Sequence, residues 1–566
     1  MRAPAALATP AEGAAGAGAR PRTAGRPLLL LAAVVPLFCA LGAWPLFDPD
    51  EGRNAAVGRE VLAGDHVVPH LDGLPYLDKP ILLFWAVAAS VRTFGPRDAA
   101  ARLPSAVAAA ATVGLTAALG TLLVDGEVGL LAGIAVASMP LLLVFGRLVI
   151  FDAPLTAFAT AALYALARAR LRGGALRWWP IAGLAMGLGV LTKGPVGVVV
   201  PLLAWIAARG VLPAPPRGER RVLAAFAAVA VVVAVVAPWL AAVQAREPDF
   251  LRYALVDETV LRFVSPERFH RDAPIWFYAT VLPWALGPWA VVLGVTARAL
   301  AAAARRRDRY GTAAAFAARA ATALVVFFTL SASKRPQYVL PVLAPLAVLV
   351  AVGVAVARER AAHAVAATAR WAVVAGVVGL GLAAVRYRPV ATDFAALSPA
   401  VLGTGGLALL AWGAATVVAA RRSATAAIVA AAVLAPALLL ALTGPLRPYA
   451  ERRGARALAA HVPADARLVG FATFTPGLVW YLGRPVVVVT DTGRELTSNY
   501  VRAGHGAGRR AEVLVPISRL HDVLDGPGPV CVVVRWDRLH EFRRRAHRRL
   551  VPLWADGRGV LLAVGA

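Results

Sequence analysis

The sequence predicts a mainly α-helical, polytopic membrane bundle of about 13 spans, with interfacial helices on its outer surface and a small α/β domain outside the membrane at the C-terminal end. Three observations carry this. Of 566 residues, 59% are hydrophobic and only 16% are charged, too apolar over too long a chain for a soluble multidomain protein. The apolar residues gather in runs of about 20, the length a helix needs to cross a bilayer core with every backbone hydrogen bond satisfied. After about residue 445 the pattern changes to short β-rich runs between turn residues.

Residues 1–26 are rich in Ala, Gly and Pro and carry Arg2, Arg20, Arg22 and Arg26, which reads as a disordered basic tail. The apolar run 27–47 is long enough to span, and no convincing cleavage site follows it, so an uncleaved span is expected rather than a signal peptide. Further spans are expected near 103–124, 128–145, 148–169, 179–191, 194–210, 222–243, 274–297, 313–331, 336–357, 368–386, 399–420 and 424–444. Together, residues 27–445 form the membrane domain.

The formal charge of +27 comes from arginines dispersed in short clusters between apolar runs, not gathered on one face as nucleic-acid binding requires. Topology explains them better, because cytoplasmic loops carry the excess of Lys and Arg. With the basic tail inside, the inside connections hold Arg168 to Arg177, Arg209 to Arg221, Arg298 to Arg309, Arg358 to Arg370, and Arg421 with Arg422. The turn Asp125 to Glu127 is the exception, having no basic residue. An odd number of spans then puts residues 446–566 outside, where RLVGFATF, RPVVVVTD, AEVLVPI and VCVVVRW read as strands. Two cysteines, Cys39 and Cys531, have no metal-ligand spacing, and no internal repeat is evident.

Two outside loops are long, 48–102 and 244–273, and the first contains Ile81 to Val91, too short and too closely flanked by charge to span, hence an interfacial helix. FDPDEGR at the start of that loop puts Asp48, Asp50, Glu51 and Arg53 at the outer surface, with a helix starting after the Asp-Pro-Asp turn. A carboxylate there can orient or deprotonate an acceptor hydroxyl, and a cation one turn on can hold an anionic leaving group. Helix capping explains the same acids equally well. Tyr76, Asp78 and Lys79 precede the interfacial stretch, where Lys79 suits a lipid phosphate or simply snorkels. Asp152, in RLVIFDAP, is an isolated carboxylate near the outer end of a span, with Arg147 as a candidate partner. LTKGP contributes Lys193, and SASKRPQYVLP contributes Lys334, Arg335 and Tyr338. Convergence of Arg53, Lys79, Lys193 and Lys334 on an outer cavity, with helix starts at Pro195 and Pro336, suits a polyprenyl phosphate.

DPDEGR, GDHVVPHLDGLPYLDKP, RLVIFDAP, LTKGP and KRPQYVLPVLAPLA occur in the order seen in bacterial aminoarabinose transferases that modify lipid A, and the chain resembles more broadly the protein O-mannosyltransferase-like enzymes of the GT-C superfamily. The resemblance implies a catalytic carboxylate at Asp50 with Glu51 beside it, and Asp152 as a second acidic position. It further implies lipid-phosphate binding by Arg53 and Lys79 with Tyr76, Lys193, Lys334 and Tyr338 around them, and an inverting transfer. Those transferases carry a Glu where this chain has Asp78, within a structural zinc site that also uses histidines. Here His270 is a candidate second ligand, but the four ligands zinc wants are not identifiable, so no metal and no cofactor is expected.

The expected function is transfer of a sugar from a polyprenyl-phosphate-linked donor to a lipid, glycan or protein acceptor, on the outer face of the inner (plasma) membrane. A transporter or flippase of a lipid-linked substrate is the alternative. Transporters, however, carry internal repeats and midplane charges, whereas the unusual charges here lie in outer loops. A noncatalytic envelope scaffold would need no pairing of Asp50 with Lys79.

Overall fold

The computed structural model describes residues 25–261, 273–306, 308–385, 399–505 and 513–565. The basic tail up to residue 24 and His270 lie outside these. Among the described residues, seven helices are long and apolar enough to cross a membrane, or eight if the bent pair Phe277–Leu286 and Pro288–Ala304 is one span. This is a multi-span membrane protein.

Helices stand at all the expected spans, but several are short or broken. The first is Gly25–Val34 with one further turn to Leu37. The expected span 128–145 divides into Gly126–Ser138 and Pro140–Phe145, because Pro140 has no N–H to continue the hydrogen-bond ladder and instead opens a new helix. The expected span 274–297 bends by 102° at Gly287, whose φ of 59° is open to glycine. Helices Gly189-side and Gly197-side touch backbone to backbone: a Cβ on Gly197 would lie 2.2 Å from the carbonyl carbon of Gly189.

The expected inside connections meet at one end of the bundle. Glu219 accepts hydrogen bonds from the amides of Gly174 and Ala175, tying two of them together. The exceptional acidic turn is neutralised by its neighbours: Arg309 lies 3.4 Å from Asp125, and Arg358 pairs with Glu127. Its missing cations are thus supplied from elsewhere in the chain.

At the other end, the segment after the first span folds into helix Asp50–Ala63, a short hairpin of β1 (His70–Leu71) and β2 (Leu74–Pro75), and helix Leu82–Phe94. The C-terminal region forms one sheet from β3 (Arg467–Phe471), β4 (Val487–Val489), β5 (Leu514–Val515), β6 (Val530–Arg535), β7 (Leu550–Ala555) and β8 (Gly559–Val564), in the order β5-β4-β3-β6-β8-β7. The first four pair in parallel, while β8 runs antiparallel to both β6 and β7. One face of this region shares a hydrophobic core with the outer segment: Leu46, Val57, Tyr76 and Phe84 pack in one cluster with Leu458, Trp480, Tyr500 and Leu561. The other face closes on its own helices around Phe471 and Phe542.

Candidate active site

Helix Asp50–Ala63 follows the first span and places two adjacent carboxylates in opposite surroundings. Asp50 is 38% exposed at its side chain, and its oxygens accept from Arg53 Nη2 at 2.6 Å and Arg335 Nη1 at 2.9 Å. Burial works to raise its pKa, but the two guanidinium groups outweigh burial and hold the carboxyl at about 2. Arg53 in turn lies over the Tyr76 ring, 5.6 Å from its centroid.

Glu51 points inward and is 1% exposed. It takes two hydrogen bonds from Arg102, at 2.8 and 2.6 Å, and others from the amides of Val149 and Phe47. Arg102 spends its remaining donors on the carbonyls of Leu41, Trp44 and Pro45. Every oxygen of Glu51 is therefore occupied in holding the first span's exit and the turn before Asp152 together. Glu51, expected beside Asp50 as a catalytic acid, is instead paired with Arg102 in the interior. Arg102 itself went unpredicted, although a cation at the very start of an apolar run is the signal that it needs a buried partner.

Asp152 opens helix Asp152–Arg172 and pairs with Lys193 Nζ at 2.5 Å. Lys193 also lies 4.4 Å from the centroid of the Tyr338 ring. Arg147, the expected partner of Asp152, instead donates to the carbonyl of Cys39, because it precedes the turn that reverses the chain into Asp152.

Lys193 lines a cavity of about 520 Å³, apolar over most of its wall, with Trp239, Phe250, Phe327 and Phe328 among its lining; Asp50, Arg53 and Asp152 are not part of that wall. Lys79, Lys193, Asp78 and Tyr338 supply its polar edge. The turn that carries Arg335 and Tyr338 joins the two charged groups: its first residue pairs with Asp50 and Tyr338 lies under Lys193. Arg335 was visible in SASKRPQY but had no role assigned; its position beside Lys334 hid which of the two would face the site.

Two expected phosphate ligands are placed elsewhere. Lys334 donates to the carbonyl of Ala273 and is not part of the cavity wall. Tyr76 is buried at 2% exposure between Arg53 and Phe84, so it supports Arg53 and does not face the cavity.

The implied zinc site can be tested on Asp78. Its carboxylate accepts from the Tyr253 hydroxyl at 2.9 Å and from the amides of Asn499 and Tyr500 at 2.8 and 2.9 Å. Two of these hydrogens meet one carboxylate oxygen and the third meets the other. Among the described residues no group of three His, Cys, Asp or Glu side chains could hold a metal ion. His270, the candidate second ligand, lies outside the described residues.

Residues 78–241 match the family model of dolichyl-phosphate-mannose-protein mannosyltransferases. Curated relatives include an undecaprenyl phosphate-alpha-4-amino-4-deoxy-L-arabinose arabinosyl transferase of Serratia proteamaculans, 34% identical over 316 residues covering 54% of this chain and 55% of that one. The corresponding protein of Pseudomonas paraeruginosa is 33% identical over 378 residues, covering 64% and 65%. The chain thus matches between 55% and 65% of the length of these two relatives. The crystal structure of ArnT from Cupriavidus metallidurans bound to undecaprenyl phosphate superposes with a TM-score of 0.80 at 21% identity, covering 96% of this chain and 98% of that one.

The chain has the ArnT fold.

That likeness extends through the C-terminal sheet, since only 4% of this chain is left uncovered, 100% less 96%.

Proposed function

We propose that the chain transfers a sugar from a polyprenyl-phosphate-linked donor to a lipid, glycan or protein acceptor on the outer face of the cytoplasmic membrane, with inversion. The observation that carries this reading is the apolar cavity whose polar edge bears Lys79 and Lys193. An apolar wall with ammonium groups at one edge is the complement of an amphiphile with an anionic head. The curated relatives, undecaprenyl phosphate-alpha-4-amino-4-deoxy-L-arabinose arabinosyl transferases by name, support the same donor class.

In this reading Lys79 and Lys193 hold the phosphate. Asp50, kept ionised by Arg53 and Arg335, accepts a hydrogen bond from the acceptor and orients its oxygen; a carboxyl held at about 2 is a weak base, so orientation is its larger contribution. The bond from the anomeric carbon to the phosphate oxygen breaks as the bond to the acceptor oxygen forms on the opposite face. The phosphate leaves with the electron pair, its charge met by the lysines, and the acceptor's proton passes to solvent.

The test is transfer of radiolabelled sugar from a panel of polyprenyl-phosphate sugars to membrane extracts. Wild type is expected to transfer, Asp50→Asn to lose about 100-fold or more in kcat, and Lys79→Ala to lose chiefly in KM for the donor. Equal transfer by all three would sink the assigned site.

A further inference from the structure

We infer that Asp78 is a positioning residue that locks the C-terminal domain onto the outer segment and thereby fixes Lys79 at the edge of the cavity. The inference rests on the donor reading above, and goes beyond it in making the C-terminal domain part of the phosphate site.

Asp78 is 6% exposed and lies where three parts of the chain meet. One carboxylate oxygen accepts from the Tyr253 hydroxyl, just beyond the long helix Arg221–Arg246, and from the amide of Tyr500. The other accepts from the amide of Asn499. Tyr253 and Tyr500 meet edge to face at 5.0 Å between ring centroids, and the Tyr500 hydroxyl donates to Glu247 at 2.8 Å, which closes the contact back onto the end of the same long helix. Charge-assisted bonds of this length are the strong ones, and burial keeps solvent from competing for them.

The same residue holds Lys79 through its main chain. Lys79 Nζ donates to the Asp78 carbonyl at 2.5 Å, and both residues line the cavity. The ammonium is thus referenced to a peptide unit whose side chain is pinned by two elements distant in sequence. A four-carbon side chain otherwise samples many rotamers, and fixing it raises the effective concentration of charge at the phosphate without adding a contact.

Three further aspartates of the outer segment make the same kind of bond to the C-terminal domain. Asp48 accepts from the Gly477 amide, Asp72 from the Val486 amide, and Asp98 from the Trp480 indole and the Tyr481 hydroxyl. Only Asp78 also touches a residue of the cavity edge, which is why the coupling is assigned to it.

The experiment uses the full chain in lipid nanodiscs and measures equilibrium binding of undecaprenyl phosphate beside undecaprenol, its neutral counterpart. Wild type is expected to prefer the phosphate. Asp78→Asn, which keeps the side-chain shape, is expected to weaken phosphate binding about tenfold while leaving undecaprenol within about twofold of wild type. Tyr253→Phe, which removes the hydroxyl donor to Asp78 and keeps the carboxylate, is expected to weaken phosphate binding about threefold, and serves alone if Asp78→Asn does not fold. Unchanged preference in the folded variants overturns the inference and leaves the donor reading standing. Equal loss of both ligands also overturns it, because a merely structural role has that signature. A wild type without preference overturns the donor reading and the inference together.

Discussion

Asp50 and Glu51 are successive residues of one helix, and the 100° that separates successive side chains sends one to the outer surface and the other to Arg102. Glu51→Gln leaves the Arg102 guanidinium buried without its counter-charge. A loss of about 3–5 kcal/mol is expected in reversible unfolding followed in detergent, with little activity left at any donor concentration. Asp48 and Asp72 behave differently, because each has one carboxylate oxygen buried without a hydrogen-bond partner. Burial raises Asp48 to about 7 against the Gly477 amide, Arg558 and Arg53, with Glu51 adding to the rise. Burial raises Asp72 to about 8 against the Val486 amide, with Glu60 adding. A carboxyl with a raised pKa binds more protons in the docked domain than when released, so docking is fully favoured below the ordinary carboxylate range and weakens as pH rises towards about 8. Proteolysis of the C-terminal domain is therefore expected to quicken with rising pH, and the double change Asp48→Asn, Asp72→Asn to flatten that profile; an acceleration on lowering the pH instead would contradict the assignment. At this scale the structure brings Lys79, Lys193 and Tyr338 of the expected residues to one cavity, with Asp152 paired to Lys193. The motifs could not tell which neighbour faced inward, and so Glu51, Tyr76 and Lys334 were grouped with residues whose surroundings they do not share.

Helices and strands were more legible where their pattern was continuous. The runs of valine in β4 and β6 announce buried parallel strands, since both faces are covered. β7 and β8 were missed because β7 is half exposed, holds Pro552, and shifts register between Pro552 and Trp554, all of which obscure a strand signal. The breaks at Pro140 and Gly287 carry the residues that cause them, but run length alone concealed them inside single expected spans. Close approach of elements was not legible at all. Helix Pro476–Leu482 reaches helix Asp50–Ala63 only because Gly477 and Gly52 lack side chains: a Cβ on Gly477 would lie 2.4 Å from Asp48 Oδ2, and one on Gly52 would lie 2.8 Å from the Gly477 Cα. Gly477→Ala is expected to cost about 1–3 kcal/mol through this overpacking, read as a lowered Tm, and to release the C-terminal domain to protease before the bundle unfolds.

For the whole molecule, apolar runs and arginines fixed the class and the two ends, while the shared core between the outer segment and the C-terminal domain was invisible, because the contacting residues lie some 400 positions apart, as in the Asp98 to Trp480 bond with its separation of 382. The acidic turn was the one place where the charge rule failed, and the fold repairs it with Arg309 and Arg358. Glu127→Arg is expected to leave the orientation of the flanking helices unchanged in cysteine-accessibility mapping, yet to lower the Tm of the folded protein by removing the contact with Arg358. Both repairing arginines are synthesised well after the turn itself, so the nascent chain has nothing at Asp125 to Glu127 that would retain it on one side. The charge of that turn is therefore balanced only when translation reaches residue 358.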